Sequence, residues 1–478
     1  MYVHFLHNHL HRVLTGALAR VTIDMLPDVA LLEIFDFYVV DEAWRTQAWC
    51  TLVHVCGKWR EVVFESPRRL NLRLRCTPRT PVRETLYIWP VLPIIIWVNG
   101  YEIWDADNVI AALEHNDRIC QMDFHEFPRS LFEEVLAAMQ QPFPALTCLV
   151  LRAGNTIPVL RLLPDSFLGG STPQLQRLFL DGIPFPGLPK LLLSATHLVR
   201  LDLRNIPHSG YFSPETMVDC LSVSTSVKRL AIEFESPRSC PDRKSRRPSP
   251  PTRTLLPVLT FLEFKGVSEY FEVLVARIDT PLLDKLHITF FHQLIFDTPH
   301  LTQFISRTPK FTAHDEAHVN FDDWSVWITF TQAFDGAQAL ELGISCRVPD
   351  WQLSSLAQVC SLPFSPFIPM VEHLYIHYGY LDLLWEDDIE NSQWLEFLHP
   401  FTAVKDLYVS WGWTPHIVPV LQELSWERVT AVLPALQSLF LGPLPSEDSR
   451  LVEEGIRQFV SARHLAGHPI AVSRWEGW

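Results

Sequence analysis

"LQRLFL" (Leu175 to Leu180), followed 23 residues on by "LVRLDL" (Leu198 to Leu203), sets a phrase that the chain repeats: apolar, two residues, leucine, one residue, apolar. Earlier copies are "ICQMDF" (Ile119 to Phe124) and "LTCLVL" (Leu146 to Leu151). Later ones are "VKRLAI" (Val227 to Ile232), "LTFLEF" (Leu259 to Phe264), "LDKLHI" (Leu283 to Ile288) and "AQALEL" (Ala337 to Leu342). The series ends with "VEHLYI" (Val371 to Ile376), "VKDLYV" (Val404 to Val409) and "LQSLFL" (Leu436 to Leu441). Successive starts lie 23 to 34 residues apart, except between Leu283 and Ala337, where "EAHVNF" (Glu316 to Phe321) reads as a degenerate copy. The alternation within each phrase has the period of a strand.

That spacing is the spacing of leucine-rich repeats. Each strand turns its leucines inward, and parallel neighbours bury them in one continuous core. Stretches such as "DNVIAALEHN" (107–116) and "SLFEEVLAAM" (130–139) read as helices on the opposite side. The polar ladder residue expected after each strand is replaced by an apolar one, at Ile183, Ile206, Val267 and Leu444. The fold class expected is therefore α/β: an irregular leucine-rich-repeat solenoid over 101–478, with parallel strands on the concave side and helices on the convex side. Residues 71–100 read as connecting strands or an N-terminal cap. One insertion, "SPRSCPDRKSRRPSPPTRT" (236–254), is rich in proline, serine and arginine and reads as a disordered loop. Its Arg243-Lys244-Ser245-Arg246-Arg247 run is either solvated linker or an import or phosphorylation signal.

Composition narrows the class. A chain of 478 residues with 48% hydrophobic content can bury a large core. A net charge of -15 argues against a sequence-independent nucleic-acid binder. Nine cysteines, none in a C-x-x-C pair, read as reduced thiols of an intracellular protein, cytoplasmic or nuclear. The start "MYVHFLHNHLHRVLTGALAR" lacks the apolar run of a signal peptide, and residues 1–20 read as a flexible N-terminus. "WPVLPIIIWV" (Trp89 to Val98) is too short to span a membrane and reads as a buried strand.

"MLPDVALLEIFDFYVVDEAWRTQAWCTLVHVCGKWREVVF" (Met25 to Phe64) is a different kind of segment. Pro27 suits a helix start, and Leu31, Ile34 and Phe35 follow at helical spacing. Trp49, Leu52, Val53, Cys56, Trp59 and Val63 then form one continuous helical face, with Gly57 inside it at a cost of about 1 kcal/mol against alanine. About 45 residues are too few to enclose this apolar surface unaided. It either caps a larger core or meets a partner.

The elements "LPDVALLEIF" and "W-x-x-L-V-x-V-C-x-x-W-R-x-x-V-F" resemble an F-box, and the residues after them resemble the F-box proteins abundant in mushroom-type fungi. The resemblance covers about residues 23–70, within a helical module at 21–70. It implies docking on the Skp adaptor, and through it on a cullin-RING (SCF) ubiquitin ligase, by way of Leu26, Pro27, Leu31, Ile34, Phe35 and Trp59. It also implies a non-catalytic substrate receptor, with an unknown protein target held by the repeats. A repeat scaffold unconnected to ubiquitin is the alternative.

No catalytic motif such as G-x-S-x-G, H-E-x-x-H or a P-loop is present, so neither an enzyme nor a cofactor is expected. His4, His7 and His11 share helical spacing, as metal ligands or as a hydrophilic terminus, and "WEDDIEN" (385–391) reads as a solvated turn. The polar residues turned out of the strands carry the binding expectation. Arg177, Arg200, Arg229 and Lys285 precede the central leucines, with Phe261 as the exception. They form a basic column that is either hydrated or ready for an anion. Tyr375, Tyr408 and Phe440 stand between the inward positions of later strands, with His377 and Trp411 or Trp413 nearby. These are either interface anchors or rings covered by loops or by the tail "HPIAVSRWEGW".

Overall fold

The computed structural model describes residues 23–41, 48–65, 71–89, 91–98, 104–125, 129–153, 162–241, 252–311, 314–331, 340–361, 368–378, 390–423, 430–442 and 449–475. The chain divides into two compact units, one of residues 1–157 with 166–172, the other of 158–165 with 173–478.

The first unit opens with α1 (Asp28–Asp41), α2 (Ala48–Val53) and α3 (Gly57–Glu65). The Pro27 carbonyl accepts from the amides of Ala30 and Leu31, so the proline sits where its missing N–H costs nothing. The continuous apolar face read through Leu52, Val53, Cys56, Trp59 and Val63 is divided between two short helices, so Trp59-Arg60 falls on the third helix of the module. His54 to Cys56 form a turn in which His54 N donates to Thr51 O and Val55 N to Leu52 O. Gly57 is thereby the first residue of α3, and the cost of an interior glycine is not incurred. Lys58 holds the two ends together, donating to Leu26 O at 2.9 Å.

Four parallel strands come next, β1 (Leu72–Arg75), β2 (Ile94–Val98), β3 (Ile119–Phe124) and β4 (Cys148–Arg152), alternating with α4 (Val82–Ile88), α5 (Ala106–Leu113) and α6 (Arg129–Ala138). The strand–helix alternation thus begins at Leu72. The stretch 71–100 is built from the same strand and helix units as the repeats after it. Ile94, Ile96 and Val98 are buried, as the apolar run implied. The Asp105 side chain accepts from Asn108 N at 2.9 Å and sets the start of α5.

The second unit continues the pattern with β5 (Arg177–Asp181), α7 (Leu188–Ser194), β6 (Arg200–Ile206), α8 (Pro214–Val223), β7 (Arg229–Phe234), β8 (Thr254–Leu255), β9 (Phe261–Gly266), α9 (Ser268–Val275), β10 (Ile278–Asp279) and β11 (Lys285–Phe291). After α10 (Pro299–Ser306) come β12 (Glu316–Phe321), β13 (Ser325–Thr331), β14 (Leu340–Ser345), α11 (Pro349–Ser361) and β15 (His373–Tyr378). The chain closes with α12 (Asn391–Leu398), β16 (Asp406–Val409), α13 (Thr414–Glu423), β17 (Ser438–Leu441), α14 (Ser449–Leu465) and β18 (Ala471–Arg474). Leu178, Leu180, Leu201, Leu203, Leu230 and Ile232 all point into the core, as alternation requires. Ile183, Ile206 and Val267 are buried in the ladder position, and Leu444 lies outside the described residues. Helices lock to their neighbours through polar caps. The buried Glu272 of α9 accepts from His300 N and Leu301 N at the start of α10, and the fully buried Arg463 of α14 donates to Leu436 O at 2.9 Å.

The stretch "EAHVNF" is a strand and runs parallel to β15, as a further copy would, but it does not take its place in sequence order. The sheet runs β11-β14-β13-β12-β15, with β13 antiparallel to both of its neighbours. The cause is local. Asp322 Oδ1 accepts from Trp324 N at 2.7 Å and Ser325 N at 2.6 Å, closing a turn too tight for a crossover helix. A hairpin is the only connection such a turn allows. Val326, Ile328 and Phe330 bury themselves in the core beside the leucines of the repeats.

Both ends of the stretch read as a disordered loop join the fold. Ser239 is fully buried, and Thr254 enters β8, which pairs with β10. Residues 242–251, with the basic run, lie outside the described residues, as do His4, His7, His11 and residues 385–389.

Ile328→Ala should cost about 2–5 kcal/mol in urea unfolding, the range for truncating a buried aliphatic residue. A loss below about 0.5 kcal/mol, typical of a surface site, would place β13 outside the sheet.

Candidate functional site

Two surfaces stand out, one in each unit. In the first, the residues grouped by sequence as adaptor contacts separate into two sets. Leu31 and Phe35 are buried with Leu32, Leu52, Val53 and Val63, and the Phe35 ring packs on Trp59 at 4.8 Å. They form the module's own core. Leu26 is half-buried, whereas Pro27 is exposed, as is Ile34 at 45%. Val29 (66%) and Phe37 (69%) are also exposed. At 100° per residue, Val29, Ile34 and Phe37 share the side of α1 opposite Leu31 and Phe35. Met25 and Val55 add further exposed apolar groups to the module. Phe37 escaped the sequence reading, although it lies three residues beyond Ile34.

In the second unit the site is the sheet face away from the buried leucines. The basic column is present and in register: Arg177 pairs with Arg200, Arg200 with Arg229, Arg229 with Phe261, and Phe261 with Lys285. Its charge, however, is answered from the next row. Asp202, fully buried, takes an ion pair from Arg200 and another from Arg229 at 3.0 Å. Glu263 accepts from Arg204 at 2.7 Å and Arg229 at 3.0 Å, and the Arg229 guanidinium also lies 3.6 Å over the Phe261 ring. Arg204 further pairs with Glu233. Burial pushes the Glu233 carboxyl up to about 7, with Arg204 opposing and Glu263 adding to the rise. Sequence reading missed these acids, although "RLDLR" and "FLEFK" alternate them onto the arginine face. Arg177 and Lys285, at the column's two ends, are exposed, as is Arg200, whereas Arg229 is half-buried.

The aromatic half is equally regular. His318, Tyr375, Tyr408 and Phe440 are register partners on β12, β15, β16 and β17. Their rings stack at 4.4, 4.2 and 4.4 Å with interplanar angles of 6°, 12° and 5°. The hairpin supplies the first rung, which the sequence expectation lacked. In the neighbouring row His377 Nε2 lies 3.1 Å from His318 Nδ1. Burial, with His318 close by, brings His377 down to about 4, and burial lowers His318 against the pull of Glu316. Both imidazoles are neutral at pH 7, so one N–H is shared between them. Tyr375 and Tyr408 are raised, chiefly by burial, and keep their protons. Trp413 is core, donating to His377 O at 3.0 Å, whereas Trp411 is half-exposed. One residue of the tail lies against the rings. Trp475 lies 5.6 Å from Tyr408, 5.6 Å from His377 and 6.2 Å from Tyr375.

Among the described residues no group of three metal-ligating side chains gathers, and no helix is long and apolar enough to cross a membrane. No protein-family model matches the chain, and no curated protein matches it. Among solved structures, it is similar to the leucine-rich repeat-containing protein LegL7 from Legionella pneumophila at 12% identity and a TM-score of 0.28, over 82% of this chain and 97% of that one. The repeat architecture rests on the strand register and burial described above.

Two measurements check the site. Asp202→Asn should cost about 1.5–3 kcal/mol, the range for hydrogen bonds to charged groups, with half-exposed Arg200 keeping it near the lower end. A neutral effect in urea unfolding would contradict the bridging role. His377 has a folded pKa of about 4 against an ordinary 6.5, so between those values the unfolded chain binds more protons. Stability should therefore fall as pH drops from about 6.5 towards about 4. His377→Asn should flatten that slope; equal slopes in variant and wild type would refute the assignment.

Proposed function

We propose that the protein is a non-catalytic substrate receptor of an SCF-type ubiquitin ligase, with α1–α3 as its F-box and the repeats as its target-binding part. One observation carries this reading: the three helices complete their own core around Phe35, Trp59 and Val63, yet leave Val29, Ile34 and Phe37 bare on one face of α1. A module that needed those side chains for its own fold would bury them. Large apolar groups so placed are typical anchors for a partner. The Leu26-Pro27 start and the Trp59-Arg60 pair fit the F-box resemblance, so the partner of this face is the Skp adaptor. The compartment this implies is cytoplasmic or nuclear, where that ligase works.

The target falls to the sheet face of the second unit. Its stacked rings supply apolar area at little entropic cost, while the arginine and carboxylate rows tune charge preference. The alternative, a repeat scaffold capped by these helices and unconnected to ubiquitin, draws support from the Phe64–Trp89 contact, 5.6 Å between ring centres.

The test is co-purification with the Skp adaptor. The wild-type chain should bind, and the double variant Ile34→Ser with Phe37→Ser should bind at least tenfold more weakly. Its melting temperature should stay unchanged, because both residues are exposed. A wild type that does not bind, or a double variant that binds equally well, would overturn the proposal.

A further inference from the structure

The last strand is attached in an unusual way. β18 pairs in parallel with β17, Ala471 N donating to Gln437 O and Trp475 N to Leu441 O, both at 2.8 Å. All four of its residues are nevertheless exposed. Where the preceding strand buries Leu439 and Leu441, β18 places Val472 and Arg474, so it adds nothing to the core. Edge hydrogen bonds and one indole hold it. Such a strand belongs to the low-stability end of a fold.

The indole has a prepared seat. Carrying the register one step past the ends of these strands sets His377, Ser410, Gly442 and Trp475 side by side, as the bonds from Ser410 N to Ile376 O and Gly442 N to Val409 O require. The two middle positions are small. At Gly442 a Cβ would lie 2.4 Å from Trp411 N, so no larger residue fits. The Trp411 backbone closes in on Gly442, and the Trp475 indole lies against the stacked rings, at 55–66° to those of Tyr375, His377 and Tyr408.

We propose that the β17 edge and the rings of Tyr375, His377 and Tyr408 form a strand-accepting peptide site, that the C-terminal tail is its self-ligand, and that a target binds by replacing β18 with its own extended segment. The partner segment pairs in parallel with β17 and lays an aromatic side chain, best a tryptophan, against those rings. Strand addition takes affinity from main-chain bonds and specificity from side-chain pockets, and the seated tail displays both. The proposal rests on the reading of this face as the target-binding surface and is independent of the Skp adaptor.

The probe is a labelled synthetic peptide of residues 468–478, offered to a chain ending at Gly467. Fluorescence anisotropy should show saturable binding. A Trp475→Ala peptide should bind at least tenfold more weakly, and Tyr408→Ala in the shortened chain should weaken the wild-type peptide similarly. The full-length chain should bind the peptide poorly because its own tail is in place. Full-length Trp475→Ala, which keeps every other residue, should recover binding even if the shortened chain proves unstable.

Failure of both the shortened chain and full-length Trp475→Ala to bind, while each still melts cooperatively, would overturn the proposal. So would equal affinity of the Trp475→Ala peptide. A full-length chain that elutes as a tail-exchanged dimer would replace the partner with a second copy. Adaptor binding retained alongside peptide failure would sink this site alone and leave the F-box reading standing.

Discussion

The structure depends on the burial of leucines that no single repeat can hide. The repeat strands β5, β6 and β7 each present two inward apolar residues, such as Leu201 and Leu203, and carry them at the same height in parallel. Removing one link would expose two faces at once. The remaining features derive from this constraint. Helices must cover the leucine side, and strand-to-strand register is set by the phrase. The opposite side carries none of these leucines, so polar and aromatic residues can occupy it. That freedom lets one sheet carry an ion-paired row around Asp202 and a stacked aromatic row around Tyr408.

The hairpin of β12 and β13 shows how far the constraint extends. It reverses chain direction and breaks the strand–helix alternation, yet Val319 and Ile328 still point into the shared core. Burial decides which side chains face inward; turn length decides strand direction. Because the hairpin keeps the inward rule, it also keeps the outward one, and His318 arrives in register beneath Tyr375. An irregularity of the repeat thus supplies the first ring of the aromatic stack and half of the neutral histidine pair.

Much of this was legible in the sequence, for identifiable reasons. The phrase marks inward positions because a period of two is a local property, so the strands, the basic column and the aromatic rungs could be placed by number. The reversed strand was not legible, since "SVWITFT" (Ser325–Thr331) alternates the same way in a parallel or an antiparallel strand. The break at His54 to Cys56 was hidden because apolar spacing continues through it in register. The carboxylates that neutralise the arginines were in plain view in "RLDLR" and "FLEFK", but only the register shows that Asp202 reaches two strands. Exposure within α1 separates core from surface among Leu31, Ile34, Phe35 and Phe37, and hydrophobicity alone ranks them alike.

In the proposed role, one helical module recruits the chain to a ligase while the repeats remain free for a target. Hydrogen exchange on the purified full chain, with and without the Skp adaptor, tests it most directly. The account predicts new protection in peptides covering Asp28–Asp41 and Gly57–Glu65, with the strand peptides of the second unit unchanged. An adaptor that leaves those helices unprotected, or protects the strands instead, would contradict it.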